Sequence, residues 1–218
     1  YTILFNINTY IIVIDMLCKK IIGLILVVML GFNVIAQNCT GTESFTLNPI
    51  PPTGGYTPGT VVTVCYTMNG WTEVNSNWLE GFDINLGNGW TNLTPGLPPD
   101  DCFITSSGQW LWMTTTTSST TGISVGPGWF YEYGSPGNGN PGDDFGDWDP
   151  NGTCSWTFCF TVEVVQTCNP LDLTIQVTAG GDGTWGGWTN NACTLVPFNI
   201  YNGNIQVVIP TTSNINHY

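Results

Sequence analysis

Hydrophobic and polar residues alternate with a period of two along most of the chain after residue 37. Val62, Val64 and Tyr66 share one face of a predicted strand, and the clearest runs of the same kind are 82–86, 156–164, 171–177 and 205–209. Weaker runs lie at 45–47, 109–113, 123–125 and 195–200. Gly, Pro, Asn and Asp separate these runs, and none has the helical period of 3.6 residues. The pattern predicts an all-β fold, an antiparallel β-sandwich of Ig-like or jelly-roll type with roughly eight to ten strands.

The first 36 residues have a different pattern, which is typical of an export signal. Lys19 and Lys20 precede an apolar run at 21–30, and small residues lead to Ala36. The charge-free stretch of about 16 residues is shorter than the roughly 18 to 20 that cross a bilayer. We therefore expect a signal peptide at 16–36, upstream or artefactual sequence at 1–15, one β-sandwich domain at 37–210 and a linker or tail at 211–218. Further domains of a longer chain are expected to follow.

The charge balance is strongly acidic. The chain has 15 Asp and Glu against two Lys and no Arg, with a formal net charge of −13, and both lysines leave with the predicted signal peptide. A surface without basic side chains repels phosphate groups, which excludes nucleic acid and anionic membrane surfaces as partners. The 10 Trp and many β-branched residues supply enough apolar surface for a core. We expect a secreted or cell-surface protein with an extracellular glycan or protein partner.

Seven of the eight cysteines follow the predicted cleavage point. In an exported protein this spread predicts disulfide bonds. Zinc is the alternative, but the chain has no CxxC pair and its single histidine is His217. The pairing is not determined by the spacing, and the odd count requires either a free thiol or a partner outside the chain.

The densest chemical feature is an acidic loop at 140–152. Within it, Asp147-x-Asp149-x-Asn151-Gly152 resembles the first half of an EF-hand calcium loop, although the position of the bidentate Glu holds Phe158. Carboxylates without basic neighbours favour a hard cation, whereas the alternative is a solvated, turn-rich loop. The sequence predicts Ca²⁺, with the ligands Asp143, Asp144, Asp147, Asp149 and Asn151.

Tryptophan is the second unusual feature. Six of the ten lie in or beside Gly-rich predicted loops, where exposed rings stack on sugar faces in carbohydrate-binding modules. The alternative is that they cap the ends of the core. The predicted glycan contacts are Trp71, Trp90, Trp129, Trp148, Trp185 and Trp188.

Catalytic chemistry is restricted by the residue types that are missing. Without Arg, a mature Lys or an internal His, the chain cannot form a Ser-His-Asp triad, a Schiff base or a P-loop. A glycosidase built on two carboxylates is the remaining enzyme class, and we do not predict that the chain is an enzyme. The candidate carboxylates are Glu73, Glu80, Asp83, Glu132 and Glu163.

Five segments resemble N-terminal modules of large secreted surface proteins of Bacteroidetes. They are PGTVVTVCY at 58–66, WLEGF at 78–82, GPGWFY at 126–131, WTFCF at 156–160 and GDGTWGGW at 181–188. The resemblance covers about 37–210 and implies type IX secretion and a role in adhesion or gliding, with no catalytic residues. We expect a calcium-supported, adhesin-like structural or interaction module. A carbohydrate-binding module is the second hypothesis, and a glycosidase is the third.

Overall fold

Two antiparallel sheets pack face to face in the computed structural model, which describes residues 38–73, 76–102, 108–134, 137–189 and 193–206. The predicted signal peptide and the segments 1–15 and 211–218 lie outside the described residues. The strands are β1 (Thr40–Asn48), β2 (Val61–Trp71), β3 (Leu79–Leu86), β4 (Trp90–Pro95), β5 (Gln109–Met113), β6 (Thr116–Thr117), β7 (Ser124–Val125), β8 (Gly128–Glu132), β9 (Ser155–Val164), β10 (Ile175–Gly181) and β11 (Phe198–Tyr201). A 3-10 turn spans Pro141–Asp143, and the single-turn helix α1 spans Asp182–Trp185.

One sheet has four strands in the order β1-β2-β9-β4, and the other has five in the order β11-β10-β3-β8-β5. β6 and β7 form a separate two-stranded sheet. All strand pairs are antiparallel, and β2 lies beside β9 with Tyr66 opposite Phe158. The predicted all-β sandwich is confirmed.

The core lies between the inner faces of the two main sheets. Tyr66 of β2 and Phe158 of β9 are completely buried, and Phe82 of β3 stacks on both from the opposite sheet. Its ring centroid lies 4.5 Å from that of Phe158 and 5.0 Å from that of Tyr66. These are the positions that the period-two alternation assigned to an inner face, because alternate side chains of a strand point to the same side.

Three disulfide bonds hold distant parts of the sequence together: Cys39–Cys193, Cys65–Cys159 and Cys102–Cys154. The second joins directly opposed residues of β2 and β9. Cys168 is a free, exposed thiol, which accounts for the odd count after residue 37. The predicted disulfides are confirmed, and they indicate an oxidising environment. Within the described ranges, no helix has the length and apolar character needed to cross a membrane.

The outer face of the five-stranded sheet carries a second, smaller buried layer. Phe130 of β8 and Trp185 of α1 are buried there with ring centroids 5.9 Å apart. Gly81 lies directly beneath them, because a Cβ at this position would collide with both rings. The 3-10 turn and α1 contact this part of the sheet and each other, so the predicted acidic loop is held against β3 and β8.

Candidate functional site

A β-bulge at the start of β3 positions the most unusual side chain of the molecule. Gly180 of β10 pairs with Gly81, and Gly181 pairs with Leu79, so Glu80 is the extra residue between two consecutive pairs. Bulges of this kind redirect a side chain out of the regular alternation. Glu80 is thereby brought near four other carboxyl groups, those of Glu132, Asp143, Asp144 and Asp182.

Glu80, Glu132, Asp143 and Asp144 form what we call the carboxylate cluster. Glu80 and Glu132 are completely buried, Asp144 is half-buried and Asp143 is exposed. Burial raises the pKa of Glu80 well above its usual range, and the neighbouring carboxylates raise it further. Burial also raises the pKa of Asp144 to about 6, with Glu132 as the next cause. A raised pKa favours the protonated, neutral form, so burial works against negative charge on Glu80 and Asp144.

Backbone and amide donors fix three members of the cluster through one oxygen each. Gly139 donates its N–H to Glu132 Oε1 over 2.9 Å, and Tyr133 donates its N–H to Asp144 Oδ2 over 3.2 Å. Asn138 donates its side-chain amide to Asp143 Oδ1 over 3.3 Å. Among the described residues, no donor reaches either oxygen of Glu80 or the buried Oε2 of Glu132. Donors thus orient Glu132, Asp143 and Asp144, whereas Glu80 has none among the described residues.

Asp182, at the beginning of α1, differs from the cluster because backbone donors satisfy both of its oxygens. Trp78 donates its N–H to Oδ1 over 3.1 Å, and Gly146 donates its N–H to Oδ2 over 3.2 Å. Burial nevertheless raises the pKa of Asp182 to about 7. Its side chain fastens α1 to the segments before β3 and after the 3-10 turn, which is a structural role.

Asp147, a predicted calcium ligand, is buried and surrounded by N–H donors. Trp156 and Trp110 donate their indole N–H groups to Oδ2 over 2.7 and 3.3 Å, and Cys102 donates its backbone N–H over 3.0 Å. Burial raises the pKa of Asp147 to about 7, and the neighbouring Asp101 carboxyl contributes to the rise. The side chain crosslinks both sheets and the segment at Cys102.

Asp149 accepts hydrogen bonds in the same way. Trp71 donates its N–H to Oδ2 over 3.1 Å, Thr153 donates its N–H to Oδ1 over 3.0 Å, and Cys154 donates to both oxygens. Cys102 and Cys154 lie beside it, but their sulfur atoms are bonded to each other and are not free to bind a metal. Asn151 is exposed. The structure therefore divides the predicted ligand set: Asp143 and Asp144 join Glu80, whereas Asp147 and Asp149 serve as buried acceptors.

Four of the six predicted glycan contacts are core residues. Trp71, Trp90, Trp129 and Trp185 are each at most 7% exposed, so the expectation of exposed loop rings is wrong for them. Large aromatic rings are mostly buried in proteins, and these pack against other rings. Trp129 contacts Trp112, and Trp90 contacts Tyr56. Trp148 and Trp188 are half-buried and keep part of each ring at the surface.

Trp148 and Trp188 belong to a continuous set of contacting rings, which we call the aromatic patch. Trp148 stacks on Trp78 with centroids 5.7 Å apart, and Trp78 contacts Phe145 at 5.9 Å. Phe145 in turn contacts Trp188 at 5.5 Å and Tyr133 at 5.9 Å. Phe145 and Tyr133 are 40% and 44% exposed, and Trp148 is fixed by donating its indole N–H to Glu73 Oε2. The patch adjoins the carboxylate cluster through Tyr133 and the 143–145 segment.

Of the five carboxylates considered for catalysis, two lie in the carboxylate cluster and the other three lie elsewhere. Glu80 and Glu132 are buried in the cluster, and Glu73 is bonded to Trp148 and to the N–H of Asp149. Asp83 accepts the N–H of Gly126, and Glu163 accepts the amide of Asn92 on the four-stranded sheet. The hypothesis of a glycosidase is not tested by these positions and stays a prediction.

Comparisons with protein-family models, curated proteins and solved structures found no match to this chain. The site is therefore interpreted from its own chemistry alone. Sequence reasoning missed Trp78, Tyr133 and Phe145, and it considered Glu80 and Glu132 only as catalytic candidates. One signal was present in the sequence. Glu80 lies two residues before Phe82 and four before Ile84, so in a regular strand its charged side chain would point into the core with theirs.

Proposed function

We propose that this chain is an exported, adhesin-like binding module of a cell surface, and that it holds a neutral glycan against the aromatic patch. The observation that carries the proposal is the continuous contact of five partly exposed rings from four separate segments. Flat, rigid rings provide apolar area for the faces of pyranose sugars at little entropic cost. The three disulfides support export, because such bonds persist in oxidising compartments.

Charge selects among the glycans that such a patch would bind. No Lys or Arg occurs after Lys20, and the exposed Asp143 and half-buried Asp144 directly precede Phe145 in the chain. Sulfated and uronic acid sugars would be repelled by these carboxylates. Sugar hydroxyls, in contrast, donate hydrogen bonds to carboxylate oxygens. A neutral polysaccharide therefore fits the patch better than an acidic one.

A matched pair of phenylalanines tests the proposal. Phe145 is 40% exposed within the aromatic patch, and Phe45 is 41% exposed on β1 of the opposite sheet. We expect a panel of neutral polysaccharides to contain a ligand, and isothermal titration to give an affinity that falls at least about tenfold in Phe145→Ala. Phe45→Ala should bind like the unmodified protein. Equal losses in both variants, or no binding across the panel, would contradict the glycan proposal and favour a protein partner.

A further inference from the structure

A polar groove borders the aromatic patch beside Trp148. Its volume is about 420 Å³, within the range of roughly 300 to 1,000 Å³ that is common for small-molecule sites. Its walls come from the end of β2, the two residues that follow it and the turn at 149–152, and they include Asn69, Thr72, Glu73, Pro150 and Gly152. These five residues are exposed or half-buried, so the groove opens to solvent.

Glu73 connects the polar groove to the aromatic patch. Its Oε2 accepts the indole N–H of Trp148 over 3.0 Å, and its Oε1 accepts the backbone N–H of Asp149 over 2.7 Å. Burial raises the pKa of Glu73, whereas these two donors counteract the rise. A carboxylate accepts about four hydrogen bonds. Glu73 can therefore hold Trp148 in place and still accept hydrogen bonds from sugar hydroxyls in the groove.

The walls of the groove are fixed before any ligand binds. Thr72 donates its N–H to the carbonyl of Cys39 over 2.8 Å, and Gly70 donates its N–H to the carbonyl of Cys154 over 2.6 Å. Both cysteines form disulfide bonds. Apart from its chain neighbours, nothing lies within 4 Å of the position that a Cβ would take at Gly152, so this wall leaves space open. A rigid, open groove binds a ligand at a low cost in ordering.

We propose that the aromatic patch and the polar groove together bind a linear neutral polysaccharide, with one unit on the rings and the following units in the groove beyond Trp148. This inference deepens the glycan proposal and rests on it. Amide, hydroxyl and carboxyl groups in the groove complement sugar hydroxyls, and no Lys or Arg occurs after residue 20 to select an acidic sugar. A unit tethered through its neighbour enters the groove at high effective concentration, so affinity should increase with chain length.

Isothermal titration with oligosaccharides of two to six units, prepared from the polysaccharide that the panel identifies, tests the groove. For the unmodified protein, we expect the hexasaccharide to bind at least about tenfold more tightly than the disaccharide. Gly152→Asn adds a side chain at the groove wall and should remove most of this gain, with the affinity for the disaccharide unchanged. Asn suits this position because the φ of Gly152 is +63°, a left-handed conformation that Asn tolerates.

Gly122→Asn is the matched control. Gly122 has a φ of +70° and open space at its Cβ position, but it lies in the turn between β6 and β7 and does not line the groove. This variant should keep the full gain with chain length. Thr72→Gln is a second test of the groove, because it lengthens an exposed wall residue with no requirement for a positive φ, and it should also reduce the gain.

The outcomes separate the groove from the glycan proposal. Equal affinities for short and long oligosaccharides, with both lowered by Phe145→Ala, would overturn the groove and leave the glycan proposal standing. A full gain with chain length in both Gly152→Asn and Thr72→Gln would overturn the groove as well. No binding across the panel would overturn both proposals.

Discussion

Replacing Asp149 with Asn removes its charge and tests whether this residue is a structural hydrogen-bond acceptor or a metal ligand. Its carboxylate accepts the N–H groups of Trp71, Thr153 and Cys154, with Trp71 on Oδ2 and Thr153 on Oδ1. In Asp149→Asn one of the two oxygens becomes an NH₂ group. Whichever way the amide turns, either Trp71 or Thr153 then faces a donor and loses its bond.

The size of the effect follows from those bonds. A hydrogen bond to a charged acceptor contributes about 1.5 to 3 kcal/mol, and a buried donor left unsatisfied is costly. Losing one such bond and the charge on the remaining ones should lower the free energy of unfolding by about 2 to 4 kcal/mol. For a chain of this size each kcal/mol corresponds to roughly 2 to 4 °C, so Tm should fall by about 5 to 15 °C.

Calorimetric melts in calcium and in chelator measure this prediction. The decrease in Tm should be the same in both solutions, because the bonds of Asp149 are internal to the protein. Asp100→Asn removes the same charge from an exposed residue and should change Tm little. An unchanged Tm for Asp149→Asn, or a decrease confined to calcium, would refute the assignment of Asp149 as a backbone acceptor.

Four further outcomes follow from the structure. Replacing Cys39 and Cys193 with Ser opens a link between residues 154 apart and should lower the free energy of denaturant unfolding by about 5 kcal/mol; no loss would contradict this. Gly81→Ala should cost about 1 to 3 kcal/mol through its clash with two rings, and an unchanged Tm would argue against the buried outer layer. Among the seven cysteines after residue 37, maleimide should label Cys168 alone in the native protein, and labelling of any of the other six would contradict the pairing. The pKa of Asp147 rises from 3.8 to about 7, so its folded form retains the proton. Stability should therefore fall by up to about 4 kcal/mol between pH 4 and 7 and level off above, whereas stability that rises in denaturant titrations over this range would contradict the assignment.

The sequence predicted the strands well where apolar and polar residues alternate without interruption. The alternation from Trp156 to Val164 coincides with β9, whose inward residues are all buried. Gln109–Met113 coincides with β5. The run at 171–177 was less accurate, because regular pairing begins only at Ile175. An alternation with a period of two indicates which face of the sheet each residue occupies. It does not indicate where pairing with a neighbouring strand begins.

The candidate site was harder to predict because it depends on contacts distant in sequence. Glu80 enters the carboxylate cluster through a bulge opposite Gly180, a residue 100 positions away. Trp71 appeared to be a loop residue, yet it ends β2 and donates its indole N–H to the carbonyl of Asn77. No local pattern distinguishes an exposed Trp from one that closes the end of a core.

Because basic side chains are absent, the buried acidic residues differ in how they are stabilised. A buried carboxyl group in this protein can be stabilised by N–H groups or by keeping its proton, because no Lys or Arg is available after residue 20. Asp147, Asp149 and Asp182 each accept N–H groups on their oxygens. Glu80 has no such donor within the described part of the chain. Sequence spacing treated these acids alike, whereas the supply of N–H donors separates them: a buried acid with donors can keep its charge, and one without them is stabilised by keeping its proton.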